Sequence, residues 1–137
     1  MNRYLLDTNV ISEVRRRRPH GALLSWLGSQ QVHHMFLSAV TIGELQLGVE
    51  RTRQQDSAKA NEIEFWIEQL IATYQVLPLD AACFREWGRI MHGKSGDLIE
   101  DAKIAATARV HDLIVATRNE RDFEQLDVHI FNPFKAN

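Results

Sequence analysis

The sequence has little cysteine, no strong charge of either sign and no long apolar run. Its 137 residues include one cysteine, Cys83, which excludes a disulfide within the chain and favours a reducing compartment. The formal net charge of -2 gives no reason by itself to expect a nucleic-acid partner. No stretch approaches the roughly 18 apolar residues that a membrane helix needs, and residues 1–20 lack the apolar run of a signal peptide. We therefore expect a cytoplasmic protein without a membrane segment.

Apolar runs that alternate with helical patterns predict an α/β fold. The composition, 45% hydrophobic and 25% charged, is that of a globular domain with a real core, and we expect one domain over residues 1–137. We predict strands near residues 3–7, 35–38, 76–79, 113–116 and 128–131, and helices near 9–17, 20–30, from 41, 58–74, 81–92 and 97–111. Such alternation favours a central parallel sheet of four or five strands with helices on both faces. Pro78 cannot donate to a ladder, so its strand is expected at an edge.

The stretch from Tyr4 to Asn9 places a carboxylate at the end of the first predicted strand. Three apolar residues lead directly into Asp7, and ligands of open α/β sheets bind at the carboxyl ends of strands. Thr8 or Asn9 is suited to cap the helix that follows. The alternative is that Asp7 is itself only a helix cap.

Three further acids occupy similar positions. Glu44 follows the second predicted strand, where Thr41-x-x-Glu44 also matches a capping box. Asp101 shares a helix face with apolar residues, and an unpaired carboxylate on a buried face is costly, although an arginine salt bridge would satisfy it. Asp97 and Glu100 fit a cap and its box partner better.

Asp122 is the fourth acid, and it follows the buried run that ends at Ala116. Asn119, three residues earlier, supplies a second polar group at the same place. The alternative for Asp122 is a cap on a short turn with Gln125.

Considered jointly, Asp7, Glu44, Asp101 and Asp122 predict a metal site. In a parallel sheet all four positions lie at one end, and clustered carboxylates repel each other unless a cation joins them. Oxygen ligands without matching cysteine or histidine suit Mg²⁺ or Mn²⁺. Phosphoryl transfer to water, without a protein nucleophile, is the chemistry that uses such a site.

Four motifs resemble those of PIN-domain proteins, in particular the VapC/FitB-type toxins of bacterial toxin–antitoxin pairs. They are Leu5–Glu13, Thr41-Ile42-Gly43-Glu44-Leu45-x-x-Gly48, Asp101-x-x-Ile104-Ala105-Ala106 and Ala116-Thr117-Arg118-Asn119-x-x-Asp122-Phe123. The resemblance implies a PIN-like three-layer sandwich and a metal-dependent endoribonuclease. Its core acids would be Asp7, Glu44 and Asp101, with Asp122 or Asn119 in fourth place. It also implies an RNA substrate, a homodimer and a small DNA-binding antitoxin that holds the protein inactive.

Other sequence features allow different interpretations of the function. Gly88–Ser95 matches the phosphate-binding pattern G-x-x-x-x-G-K-S, which would require a strand before it, whereas the sequence there favours a helix. Lys94 of this loop, and Arg15 within the run Arg15–Arg18, are candidate contacts to RNA phosphate, as are Thr8, Asn9 and Asn119 near the acids. The three tryptophans are expected in the core or an interface rather than as base-stacking platforms. A PIN-like domain that binds without cleaving is a further alternative.

Overall fold

Five parallel strands form the central sheet, and the computed structural model describes residues 1–135. The strands are β1 (Tyr4–Leu6), β2 (Met35–Ser38), β3 (Gln75–Leu77), β4 (Ile114–Ala116) and β5 (Ile130–Phe131). The helices are α1 (Thr8–Glu13), α2 (Gly21–Ser29), α3 (Ala39–Arg53), α4 (Ser57–Thr73), α5 (Ala81–Met91), α6 (Ile99–His111) and α7 (Glu120–Glu124). Short 3-10 turns, Val32–His34 and Gly96–Leu98, precede β2 and α6. The predicted α/β fold with a parallel sheet is confirmed.

Helices cover both faces of the sheet. Leu5 and Leu6 are fully buried on opposite faces, because side chains alternate along a strand. Leu5 packs in a cluster with residues of α5, α6 and α7, whereas Leu6 packs with residues of α1, α2 and α4. The α6 face that meets the sheet is rich in alanine, so this helix lies close to the strands. The result is the predicted three-layer arrangement.

The strand order β3-β2-β1-β4-β5 creates a topological switch between β1 and β4. After β1 the chain builds β2 and β3 on one side of β1, and then crosses over to build β4 and β5 on the other. The connections that leave β1 and β4 therefore diverge, and they open a crevice at the carboxyl ends of these strands, where ligands of such sheets bind. Asp7 and Thr117 directly follow β1 and β4, so both lie at this crevice.

Several helix ends differ from the predictions. Helix α1 ends at Glu13 instead of residue 17, so the arginine run follows the helix rather than ending it. Helix α3 begins at Ala39, because the Ser38 hydroxyl accepts a hydrogen bond from the Val40 N–H and caps it. The predicted capping box of Thr41 and Glu44 is therefore wrong, and Glu44 is free of a capping role.

The other local alternatives also fail. Helix α5 runs through Gly88 to Met91, so no strand precedes the Gly88–Ser95 pattern and a P-loop is excluded. Asp97 lies within a 3-10 turn, and no side chain caps that turn or α6, so the predicted cap pair of Asp97 and Glu100 is wrong. Strand β3 lies at an edge of the sheet, as Pro78 indicated. No helix within residues 1–135 has the length and apolar character required to cross a bilayer.

Candidate metal-binding active site

Neutral donors hold the buried Asp7 carboxylate at the carboxyl end of β1. Its Oδ1 accepts a hydrogen bond from the Thr8 backbone N–H at 2.8 Å, so Asp7, and not Thr8 or Asn9, caps α1. Its Oδ2 accepts from the Thr117 hydroxyl at 2.8 Å and from the Asn9 side-chain amide at 3.1 Å. Capping therefore accounts for one oxygen only, and the second oxygen is fixed by the side chains of Thr117 and Asn9.

Asn119 joins two of the predicted acids. Its side-chain amide donates to Asp101 Oδ2 at 3.2 Å and to Asp122 Oδ2 at 2.9 Å. These two oxygens are thus no more than about 6 Å apart. Asp122 lies inside α7 and caps nothing, so the predicted cap with Gln125 is wrong. The backbone N–H of Asn119 donates to the Thr117 hydroxyl at 2.9 Å, which links this pair of acids to Asp7.

Glu44 reaches the same edge of the sheet from α3. The Thr8 hydroxyl donates to Glu44 Oε1 at 2.8 Å and lies 2.9 Å from the hydroxyl of Thr41. Because the Thr8 hydroxyl has a single proton, which goes to Glu44, Thr41 is the donor in that second contact. Glu44 is solvent-exposed. The hydrogen bond from Thr8, the residue that follows Asp7, holds its carboxylate at this edge.

The electrostatics of the acids reflect this convergence. Burial raises the pKa of Asp7, and the nearby Glu44 charge adds to that rise, although the hydrogen bonds from Thr117 and Thr8 oppose it. Burial, reinforced by the charges of Asp7, Asp122 and Glu44, raises the pKa of Asp101 to about 6. No ion pair among residues 1–135 includes any of the four acids, so the predicted alternative of an arginine partner for Asp101 is wrong.

The donor set fits a hard divalent cation. Within the described chain, Asp101 and Asp122 each have one carboxylate oxygen without a hydrogen-bond donor, as does Glu44, and Asp7 Oδ1 accepts only one bond. As the side chains stand, no three acidic, histidine or cysteine groups in residues 1–135 close around a single point. The acids therefore line an open edge and do not form a cage. Mg²⁺ suits such an edge because it retains several water ligands.

Two predicted substrate-binding residues lie outside this network. Lys94 is exposed in the loop after α5 and makes no side-chain hydrogen bond or ion pair within the described residues. Arg15 forms no ion pair with an acid of residues 1–135, but it lines a cleft that also includes Thr8 and Glu44. The structure thus brings together Asp7, Glu44, Asp101, Asp122, Thr8, Asn9 and Asn119, and it leaves Arg15 nearby and Lys94 apart.

Two buried threonines of the site were missed by the sequence interpretation. Thr117 and Thr41 are fully buried, and each hydroxyl bonds a residue of the acidic edge. A signal was present for Thr117, because a hydroxyl residue directly after a largely buried parallel strand occupies the same position as Asp7 after β1. Thr41 was assigned to a helix cap instead.

A doubly covered parallel sheet with clustered carboxylates at its switch crevice defines a class of α/β proteins suited to metal-assisted chemistry on phosphate groups. The chain matches the family model of the PIN domain over residues 4–128. The protein therefore belongs to the PIN-domain family.

Two relatives and one solved structure align with nearly the whole chain. It is 38% identical over 138 residues to the toxin FitB of Neisseria gonorrhoeae, an alignment that covers 95% of this chain and 97% of FitB. It is 35% identical over 137 residues to the VapC ribonuclease Y4jK of Sinorhizobium fredii, covering 96% and 97% of the two chains. The structure of FitAB bound to an IR36 DNA fragment superposes with a TM-score of 0.86 at 35% identity, covering 98% of this chain and 97% of that one.

Proposed function

We propose that this protein is a metal-dependent endoribonuclease that acts as the toxin of a toxin–antitoxin pair. The observation that carries the proposal is the convergence of four carboxylates at the switch crevice without a neutralising side chain among the described residues. Membership of the PIN-domain family and relatives named as a toxin and as a ribonuclease support it. Asp7, Glu44, Asp101 and Asp122 are the proposed catalytic and metal-binding residues.

Mg²⁺ or Mn²⁺ is the proposed cofactor, held by Asp7, Asp101, Glu44 and Asp122 directly or through water. A bound divalent cation would supply an activated water and stabilise the charge on the phosphate. The side chains of the chain itself fix the geometry, because Thr117 and Asn9 orient Asp7, and Asn119 holds Asp101 beside Asp122. Orientation of ligands by surrounding hydrogen bonds commonly changes metal affinity or activity by 10- to 100-fold.

Two protein partners are also proposed. The similar structure named FitAB was determined with a DNA fragment bound, and we infer that a small DNA-binding antitoxin holds this chain inactive. We also propose a homodimer. Static light scattering of the purified chain alone measures the homodimer. The same measurement with the product of a neighbouring small gene tests for the complex with an antitoxin.

The test is cleavage of end-labelled RNA by the purified protein with Mn²⁺ or Mg²⁺, beside the Asp7→Asn variant prepared identically. Discrete fragments that vanish in the variant and in EDTA are expected. Equal fragments from both proteins would reveal a contaminating nuclease. RNA binding without fragments, together with a Mn²⁺-dependent rise in melting temperature, would instead favour a PIN-like domain that binds but does not cleave.

A further inference from the structure

A cleft of about 440 Å³ adjoins the acidic edge on the side of Glu44. Thr8 and Glu44, which are hydrogen-bonded to each other, form part of its wall. Ser12 and Arg15 continue the wall from α1 and the turn after it, and Trp66 of α4 also lines the cleft. The volume falls within the range of roughly 300–1,000 Å³ that is usual for small-molecule sites. The cleft is therefore large enough for a specific ligand and is continuous with the proposed active site.

The cleft contains a cation held against an aromatic ring. The Arg15 guanidinium lies 5.3 Å from the centroid of the Trp66 ring, within the range of a cation–π contact. Arg15 is exposed, and no described acid pairs with it, so its charge is available to a ligand. Trp66 is half-buried, with part of its ring packed against core residues. The ring thus limits the movement of the guanidinium while the cation stays accessible.

The remaining lining suits one nucleotide. Leu45 and Ile63 provide an apolar wall beside the indole, and the hydroxyls of Ser12 and Thr52 provide hydrogen-bonding groups. Proteins recognise single-stranded RNA by this combination, in which bases stack on aromatic or guanidinium planes and cations contact the backbone. A purely hydrophobic peptide would leave the Arg15 guanidinium without a counter-charge, whereas a phosphate neutralises it.

We propose that this cleft binds one nucleotide of the RNA that flanks the phosphate to be cut, with its phosphate on Arg15 and its base against Trp66. The proposal rests on the proposed ribonuclease function. Thr8 and Arg15 are seven residues apart on a helix and its terminal turn, which places them roughly 10 Å from each other. The bound nucleotide therefore borders the acidic edge at Glu44 and extends away from the other three acids, where it selects which position of an RNA is cut.

A measurement of RNA binding without cleavage tests this subsite separately from catalysis. Affinity for a short fluorescein-labelled single-stranded RNA of random sequence is measured by anisotropy in the Asp7→Asn background, with Mg²⁺ present. Arg15→Gln is expected to weaken binding about tenfold at low salt and to reduce the salt slope by about 0.7, the value for one lost phosphate contact on a single strand. The matched control is Arg85→Gln, the same change at an exposed arginine of α5 that does not line the cleft.

A second variant tests the base contact. Trp66→Leu is expected to lower affinity about tenfold through lost stacking and, in the otherwise wild-type enzyme, to alter the nucleotide preference at the cut. Its melting temperature is recorded beside it because Trp66 also packs in the core. Arg15→Lys keeps the charge without the planar guanidinium and is expected to recover only part of the affinity.

The outcomes distinguish this inference from the proposed function. If the wild type cleaves RNA but Arg15→Gln binds RNA as well as Arg85→Gln does, the cleft is not a nucleotide site. The inference is also overturned if Arg15→Gln and Trp66→Leu weaken binding of an antitoxin and leave RNA affinity unchanged, because the cleft then belongs to a protein partner. If the wild type shows no metal-dependent cleavage but Arg15→Gln selectively weakens RNA binding, the cleft stands as an RNA-binding site, and the nuclease proposal fails together with the assignment of this site to a cut position.

Discussion

Replacing Asp101 by asparagine is expected to stabilise the metal-free protein at neutral pH. Asparagine has the shape of aspartate, and its side-chain oxygen can still accept the hydrogen bond from Asn119. The substitution removes only the charge, which lies beside the charges of Asp7, Asp122 and Glu44. Asp101 is more suitable for this test than Asp7, because the carboxylate of Asp7 accepts three hydrogen bonds and caps α1.

The magnitude follows from the pKa of Asp101, which rises from 3.8 to about 6 on folding. Between these values the folded protein holds a proton that the unfolded chain has released, so stability falls as the pH rises and stays lowered above pH 6. A rise of about 2 pKa units corresponds to about 3 kcal/mol. Because Asp101 is only half-buried, solvent screening reduces this to on the order of 1–2 kcal/mol. For a chain of this size, the melting temperature of Asp101→Asn should exceed that of the wild type by about 3–6 °C at pH 7.

Thermal unfolding in EDTA at pH 4 and pH 7 measures this effect, followed by a Mg²⁺ or Mn²⁺ titration at pH 7. The variant and the wild type should converge at pH 4, and the metal should stabilise the wild type far more than the variant. Glu68→Gln, the same loss of charge at an exposed position of α4 that has no ion-pair partner in the described part of the chain, is the control and should change little. A melting temperature of Asp101→Asn at or below the wild-type value at pH 7 would refute the idea that burial of the Asp101 charge beside the other acids destabilises the metal-free fold.

Three further substitutions test the surroundings of the acids. Thr117→Val removes the buried hydroxyl that donates to Asp7, and should lower both cleavage and the free energy of unfolding, the latter by roughly 1–3 kcal/mol in urea titrations, whereas Thr117→Ser should retain most of each. Lys94→Ala should leave the cleavage rate and melting temperature unchanged, and a large loss of cleavage would place this loop at the RNA. Glu13→Ala should destabilise the protein by about 2 kcal/mol in the same titrations, because it removes a buried carboxylate that accepts from the His20 N–H at 3.0 Å and lies beside Arg16 and Arg118; a change below about 0.5 kcal/mol would contradict that role.

The sequence was most informative where local pattern and topology agree. The run of apolar residues before Asp7 predicted β1 and the position of the carboxylate at its end, and both follow from the burial of a central parallel strand. The special role of Asp101 could also be predicted from the sequence, because its helix face is otherwise apolar. A charged residue on such a face needs a special explanation whatever the tertiary structure.

Predictions failed where two local patterns competed or where the deciding partner was distant. Ser38 and Thr41 both precede helical residues and both suit a cap, and only the observed end of β2 decides between them. Asn119 owes its role to Asp101, which lies 18 residues away in the sequence and on a different helix. The contact between Arg15 and Trp66 joins residues even farther apart. No periodicity within one segment contains that information.

The choice of donors around the acids explains how one site can be ordered and still strongly negative. An arginine beside Asp7 or Asp101 would fix the carboxylate equally well, but it would neutralise the charge and repel a divalent cation. The hydroxyl of Thr117 and the amide of Asn119 orient the same oxygens and leave the charge in place. We expect the repulsion that remains to destabilise the metal-free fold, and the proposed cation to restore that stability when it binds. Low stability without metal and high affinity for metal would then be two consequences of one arrangement of neutral donors.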